Sequence, residues 1–356
     1  MLDILVTYPK LSGNGGIETV LTSLLNSYEK NNRSIQLFLP GGSEQVDWIQ
    51  SVHDSEKKIK LKNSKTLFGQ LIATFIYVLY MNPKVVIVLS KGQIMACFLA
   101  KIFNRKLKIV SWNHFSLDVT RSKKLLRVFK LCDAHLSISS GISKQLAKLG
   151  IEEEKIYTIY NPIKKVTNSI PRSVGNVHQV YYIGRVQFTG QKNLSELFKV
   201  LAGLKNLKWH LTIIGGETDL DKEKLLNLAT ELQITANISW LGWVKSPWEH
   251  VKSADALVLT SNFEGLPMIL CEGIAHGIPV MSSDCETGPV DIVDNNVNGY
   301  LYHLHDVQDG TQKLARLLRS RKKFSDTGSI CKTAEKFSES EYFTRFDSLI
   351  TSLIGD

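Results

Sequence analysis

The chain has 356 residues, 43% apolar and 22% charged, with 43 Lys and Arg against 34 Asp and Glu for a formal charge of +9. That length fits two domains, and that mixture excludes both a disordered chain and a fibrous repeat. Five cysteines without a C-x-x-C pair exclude a disulfide scaffold or a structural zinc site, and read as buried thiols in a reducing compartment.

The charge is uneven. Residues 1–165 carry 24 basic and 12 acidic side chains, a net of +12, while residues 166–356 carry 19 and 22, a net of −3. Such asymmetry points the first half toward something anionic, the plain alternative being a lysine-rich solvated surface.

In chain order, Met1 to Val6 lacks the basic-then-apolar build of a signal peptide. Apolar runs of strand length follow at Ile4–Tyr8, Ile35–Leu39, Val85–Leu89, Lys108–Trp112, Leu136–Ser139 and Ile156–Tyr160. A helix fits at Glu18–Glu29, whose Val20, Leu21, Leu24 and Leu25 share one face. The most apolar stretch, Leu67–Leu89, is broken at Asn82-Pro83-Lys84. Its Leu71–Tyr80 part is only about half a bilayer span and reads as a buried helix leading through a turn into a buried strand.

Polar, proline-containing Lys164–His178 reads as a linker. Beyond it, strands are expected at Val180–Ile183, His210–Ile214, Ile238–Leu241, Ala256–Leu259, Pro279–Ser282 and Gly299–Tyr302. Helices are expected at Asn193–Leu204, Asp221–Leu232, Pro247–Ser253 and Pro267–His276, with an amphipathic one at Ser338–Ile354. This alternation gives an α/β architecture with parallel, doubly wound sheets. Two Rossmann-like domains facing a cleft are expected, residues 1–165 and 175–337, the C-terminal helix 338–356 packing back on the first. Ligands of such sheets bind outside the carboxyl ends of the strands, so those ends hold the candidate chemistry.

After the strand Ala256–Leu259 comes Ser261-Asn262-Phe263-Glu264-Gly265-Leu266-Pro267-Met268-Ile269-Leu270-Cys271-Glu272. Gly265 permits a tight turn and Pro267 opens a helix, whose N-terminal amides suit phosphate. Carboxylates beside such a site repel an anion but bind hydroxyls, so of Glu264 and Glu272 one reads as a ribose ligand and the other as a sugar ligand. The plain alternative is a dipole-complementing acid plus a solvated glutamate.

This segment resembles the Glu-x7-Glu signature of the retaining GT-B glycosyltransferases, family 4 of the sequence-based classification. Gly277-Ile278-Pro279-Val280-Met281-Ser282-Ser283-Asp284-Cys285, Gly288-Pro289-Val290-Asp291-Ile292-Val293 and Asn298-Gly299 extend the resemblance. Ser111-Trp112-Asn113-His114-Phe115-Ser116-Leu117-Asp118, Ser139-Ser140-Gly141-Ile142, Tyr160-Asn161-Pro162, Gly184-Arg185 through Gly190-Gln191-Lys192 and Gly242-Trp243 narrow it. Together they are similar to the subgroup that transfers galactose from UDP-galactose to lipopolysaccharide.

The resemblance implies a metal-independent hexosyltransferase whose donor is a UDP-sugar and which has no further cofactor. It implies a catalytic set of Glu264, His114, Arg185 and Lys192. Donor binding falls to Gly15, Gly16, Trp243, Val244, Gly265, Leu266, Pro267 and Glu272. Glu18 and Asp118 are acceptor-side candidates. Each has a plainer reading: Glu18 as a first-turn helix acid, His114 as a core histidine, Arg185 and Lys192 as surface cations, Trp243 as core. Trp240, Trp243 and Trp248 together read as packing rather than a stacking platform. Asp219-Leu220-Asp221 mimics a metal-binding pair but sits at a helix start, where capping explains it.

Partners implied are a nucleotide sugar and a saccharide or glycolipid acceptor, with no nucleic acid. The basic first half, through clusters such as Lys57–Lys62 and Arg121–Arg127, meets an anionic membrane surface. The location expected is cytoplasmic, peripheral to the inner face of the cell membrane. Two other readings share the architecture: a non-catalytic nucleotide-sugar-binding subunit of a transferase pair, and a nucleotide-sugar epimerase.

Overall fold

The central Val/Ile/Leu-rich runs Ile4–Thr7, Val85–Val88 and Ala256–Leu259 form strands buried on both faces, as parallel strands covered by helices must be, while the edge runs Ile156–Thr158 and Ile238–Gly242 are only partly covered. The computed structural model describes residues 2–13, 16–28, 33–117 and 127–355. The chain divides into two units, Met1–Pro162 with Tyr342–Asp356, and Ile163–Glu341.

The first unit contains β1 (Ile4–Thr7), α1 (Gly16–Ser27), β2 (Ile35–Leu39), α2 (Ser55–Lys58), β3 (Ile59–Leu61), α3 (Leu67–Met81), β4 (Val85–Val88), α4 (Lys91–Phe103), β5 (Lys108–Asn113), β6 (Ala134–Ser137), α5 (Ser140–Lys148) and β7 (Ile156–Thr158). Its seven parallel strands run in the order β3-β2-β1-β4-β5-β6-β7. The order reverses between β1 and β4, so the loops after these two strands flank the crevice of this sheet. α1 buries Val20, Leu21, Leu24 and Leu25, each worth about 1.5–3 kcal/mol of transfer free energy.

The second unit contains β8 (His178–Ile183), α6 (Leu194–Ala202), β9 (Trp209–Ile214), α7 (Asp219–Glu231), β10 (Ile238–Gly242), β11 (Ala256–Leu259), α8 (Met268–Ala275), β12 (Val280–Ser283), α9 (Pro289–Ile292), β13 (Gly299–Tyr302), α10 (Val307–Arg319) and α11 (Thr327–Lys332). Its six parallel strands run β10-β9-β8-β11-β12-β13, and the order reverses between β8 and β11. α12 (Glu339–Ile354) starts here and returns to the first unit. There Phe346 meets Tyr28 edge-on at 5.5 Å, and Arg33 donates to Thr351 Oγ1 at 2.8 Å.

Several expectations change. β3 was not anticipated, because it is a three-residue edge strand with only Ile59 buried. The run read as Leu136–Ser139 begins at Ala134 and stops at Ser137, since Ser139 caps α5 by accepting from Ile142 N. Pro247–Ser253 is not an α-helix but a single 3-10 turn, Pro247–His250. The helix expected from Pro267 starts at Met268, with Pro267 as its N-cap residue. Lys164–His178 is strapped onto the second unit, Ile170 N donating to His276 O at 2.8 Å and Arg172 pairing with Asp255 at 3.3 Å. The largest departure is α3. It was expected to be buried, yet Leu67, Phe68, Ile72, Ile76, Leu79 and Tyr80 are exposed.

Candidate active site

The sheet order of the second unit brings two loops together. Residues 184–193 follow β8 and residues 260–267 follow β11, the two strands flanking the reversal. β8 hands over through Gly184, whose carbonyl lies 1.8 Å from where a Cβ on Gly215 would fall. Glycine is therefore required at Gly215 by that close approach. Tyr182 OH donates to Arg185 O at 2.6 Å and fixes the turn.

The next residues are cinched from both sides. Gln187 O accepts from Leu194 N at 2.9 Å and Phe188 O from Ser195 N at 3.0 Å. Asp221 Oδ1 accepts from Phe188 N at 2.9 Å, while Thr218 Oγ1 accepts from Asp221 N at 3.1 Å. Thr218 thus caps α7, and Asp221 of the Asp-x-Asp pair accepts from Thr218 Oγ1 at 2.7 Å and holds this loop. Asn262 N donates to Gln191 O at 2.8 Å, and Asn193 Nδ2 donates to Asn262 Oδ1 at 3.1 Å.

These stitches set Lys192 Nζ 2.7 Å from Glu264 Oε1. Gln191 Nε2 donates to Phe263 O at 3.3 Å and reaches Glu264 Oε2 at 3.4 Å, while Arg185 donates to Gln191 Oε1 at 3.2 Å. Arg185 is exposed, Lys192 half-buried and Glu264 buried. The result is a cationic rim over one compensated carboxylate. Gln191, Asn193 and Asn262 were not anticipated as functional. Their only sequence signal is that they lie within the two motif stretches, since the partners that join the two loops are 69–73 residues away in the chain.

The turn from Glu264 into α8 is packed from outside. Thr287 Oγ1 donates to Glu264 O, and Gly288, at φ +94°, would place a Cβ 2.6 Å from Pro267 Cδ. The glycine whose backbone the left-handed region requires is thus Gly288, while Gly265 is not among the positive-φ glycines. Leu266 is buried. Pro267 leads into the first turn of α8, where Leu270 N donates to Pro267 O at 2.9 Å and the N–H groups of Met268 and Ile269 precede any intrahelical acceptor.

Glu272 lies in the second turn of α8, and its Oε2 accepts from Trp248 Nε1 at 2.8 Å. Burial pushes its pKa up, and the indole N–H and Lys164 pull it part of the way back. Trp248 also packs on His276, ring centroids 4.4 Å apart. Trp240 meets Phe198 edge-on at 6.3 Å. Trp243 is a different case. It is exposed, so the packing expected of all three tryptophans fails for it. Trp243 and Val244 follow Gly242, whose carbonyl accepts from Gly215 N at 2.8 Å.

The first unit places the remaining candidates. Glu18 is buried and reaches back from α1 onto the loop after β1. Its Oε1 accepts from Gly13 N at 2.7 Å and from Ser12 Oγ at 3.1 Å, so it shapes the glycine loop. Gly16 is exposed and opens α1, with no atom within 4 Å of a built Cβ. Gly15 and Asp118 lie outside the described residues, as does most of the Arg121–Arg127 cluster. Lys58 is not a surface cation, because it is buried and donates to Leu25 O at 2.9 Å.

His114 follows β5, its ring tilted at 51° against Trp112 with centroids 4.6 Å apart. Burial drives its pKa down to about 3, so it is neutral at ordinary pH. Among the described residues neither His114 Nε2 nor Trp112 Nε1 has a hydrogen-bond partner. Both residues line a recess of about 230 Å³ together with Ser90, Lys91 and Ser116. Ser90 and Lys91 follow β4, the other strand flanking the reversal of this sheet, and were not anticipated.

Residues 168–338 match the model of the family described as glycosyl transferases group 1. Over 96% of this chain and 96% of its own, the lipopolysaccharide 1,6-galactosyltransferase of Salmonella typhimurium is 33% identical. That of Escherichia coli is 31% identical over 97% of both chains. The solved apo form of the lipopolysaccharide outer core galactosyltransferase WaaB superposes with a TM-score of 0.88 at 30% identity, covering 99% of both chains. With two parallel Rossmann-like sheets, the loops just described and this full-length similarity, the chain belongs to the group 1 glycosyltransferases of the GT-B fold.

Proposed function

We propose that this glycosyltransferase moves galactose from UDP-galactose to a saccharide acceptor of the lipopolysaccharide core or a related cell-surface glycan, with retention of configuration. The observation that carries the chemistry is the convergence of Arg185, Lys192 and Glu264 at the strand-order reversal of the second sheet. The donor sugar and the acceptor follow from the two full-length relatives.

The leaving diphosphate carries at least two charges. Arg185 offers a planar fork and Lys192 a point charge, and the first turn of α8 adds oriented N–H groups. Preorganised donors of this kind stabilise charge as it develops, and losing one costs about 10²–10³ in rate. Binding draws Lys192 toward phosphate and leaves Glu264 able to accept from donor sugar hydroxyls. Glu272 keeps Oε2 on Trp248 and offers Oε1 to a ribose hydroxyl, while Trp243 flanks the base. As the anomeric bond breaks, positive charge grows on the sugar, and the departing phosphate oxygen takes the acceptor proton on the same face. Neutral His114 serves as a hydrogen-bonding group rather than a charge. The chain's own cations thus meet the leaving-group charge, and no further cofactor enters.

The acceptor is read as a glycolipid, which places the enzyme peripherally at the inner face of the membrane. The test is transfer and UDP release, with and without acceptor, for the wild type, Lys192→Ala and Glu272→Ala. Undiminished transfer by both variants overturns the assignments. Thermal shift with UDP-, GDP- and ADP-sugars at matched concentration tests the donor, and stabilisation by none of them overturns the reading.

A further inference from the structure

α3 is built inside out for a helix facing water. Its fifteen residues include no charged side chain. Polar Gln70 and Thr74 point inward, 8% and 0% exposed. Thr74 Oγ1 accepts from Gln93 Nε2 of α4 at 3.2 Å, and the same amide reaches Thr7 at 2.9 Å. Apolar Phe68, Ile72, Ile76 and Tyr80, spaced four apart on one face, point outward, Phe68 73% and Tyr80 81% exposed.

α4 packs alongside and repeats the arrangement. It buries Gln93 and exposes Met95, Leu99, Ile102 and Phe103. The helices run side by side in the same sense. Phe75 meets Phe103 at 6.1 Å, and Asn104 just past α4 donates to Asn82 just past α3 at 2.8 Å. The two stripes therefore make one apolar face. Single exposed apolar residues are ordinary, but a continuous face is an interaction surface.

The charge around it identifies the partner. From Lys57 to Leu117 the sequence has eleven Lys and Arg and no Asp or Glu; of these Lys58 is buried, and Lys84 and Lys101 are paired with Asp3 and Asp133. Exposed Lys65 stands before α3, and exposed Arg105 and Lys106 stand after α4. Apolar side chains framed by cations match an anionic lipid interface. A second copy of the chain would bring two cation-framed faces together, because a two-fold interface pairs a patch with itself. Among the described residues no helix is long and apolar enough to cross a membrane. α3, at about 1.5 Å per residue, falls short of a hydrocarbon core of about 30 Å.

We propose that the paired faces of α3 and α4 seat the protein on an anionic lipid surface. Phe68, Ile76, Leu99 and Phe103 enter the interface, and Lys65, Arg105 and Lys106 meet the headgroups. This deepens the glycolipid-acceptor reading and rests on it for purpose, though not for evidence. The test is sedimentation of the full chain with phosphatidylcholine vesicles, with and without phosphatidylglycerol. Wild type is expected to bind the mixed vesicles, less as salt rises. Two variants isolate the two components, Ile76→Asp with Phe103→Asp, and Arg105→Glu with Lys106→Glu. Each pair is expected to weaken binding at least about tenfold with an unchanged thermal melt, since all four side chains are exposed. Wild-type binding by both variants overturns the proposal, as does equal binding to neutral vesicles. Concentration-dependent dimerisation abolished by Ile76→Asp, without lipid binding, also overturns it and assigns the face to a second copy. None of these readouts involves sugar transfer. A failed donor screen beside positive sedimentation would remove only the galactosyltransferase reading.

Discussion

Lys192 and Glu264, 72 positions apart in sequence, form a 2.7 Å ion pair at the point where the strand order of the second sheet reverses. Neither charge is well hydrated there, and each offsets the other. Breaking such a pair from one side leaves an uncompensated charge, which costs about 3–5 kcal/mol when buried.

That cost separates structure from catalysis in a double-mutant cycle. Lys192→Met is expected to lower the melting temperature and to lose about 10²–10³ in kcat. Adding Glu264→Gln should restore much of the stability and none of the rate. Calorimetry and kcat measured together decide it; recovery of activity in the double variant would make the pair purely structural.

Glu272 gives a pH signature. Burial raises its pKa above the usual carboxylate range, against the Trp248 N–H. Its ionised form, needed to accept from a hydroxyl as a charged group, is therefore lost at a higher pH than for a free glutamate. KM for the donor should rise on acidification with a midpoint above the ordinary carboxylate value. Trp248→Phe removes the donor that favours the ionised form, so it should move that midpoint further up. A KM–pH profile identical in wild type and variant would sever the link.

His114 governs part of the acid stability. Its folded pKa is about 3 against 6.5 for the free group, so the unfolded chain takes up the proton first. Stability from this site is complete above about pH 6.5 and is lost progressively as pH falls toward about 3. His135 behaves alike, pushed by burial to about 4. In His114→Asn the melting temperature should depend less steeply on pH across that window, as differential scanning calorimetry would show.

Asp255 anchors the strap. It is fully buried and accepts from Gln179 N at 2.9 Å, from Ser173, and from Arg172 and Arg321 at 3.3 Å. Burial alone would raise its pKa, but these donors and guanidiniums outweigh burial and hold it below the usual value. Asp255→Ala strands two cations and should cost about 3–5 kcal/mol in chemical denaturation, with donor KM unchanged in the folded fraction.

Much of this was legible in the chain itself. Alternating strand-length and helical runs dictated parallel sheets, because a buried parallel strand must be apolar on both faces and needs a crossover to its neighbour. Glu264 and Glu272 stood out because the turn residues between them are local chemistry. Gln191, Asn193 and Asn262 did not, since the bonds that tie the two loops together join segments 69–73 residues apart and no local pattern encodes them. Burial of α3 was misjudged for a related reason. Hydrophobicity establishes that Phe68, Ile72, Ile76 and Tyr80 avoid water, but not what covers them. Composition thus determined the elements, their order and the basic character of the first half. Only the tertiary structure decided which loops meet at the strand reversals, and which apolar face the sheet leaves uncovered, because both depend on neighbours distant in the chain.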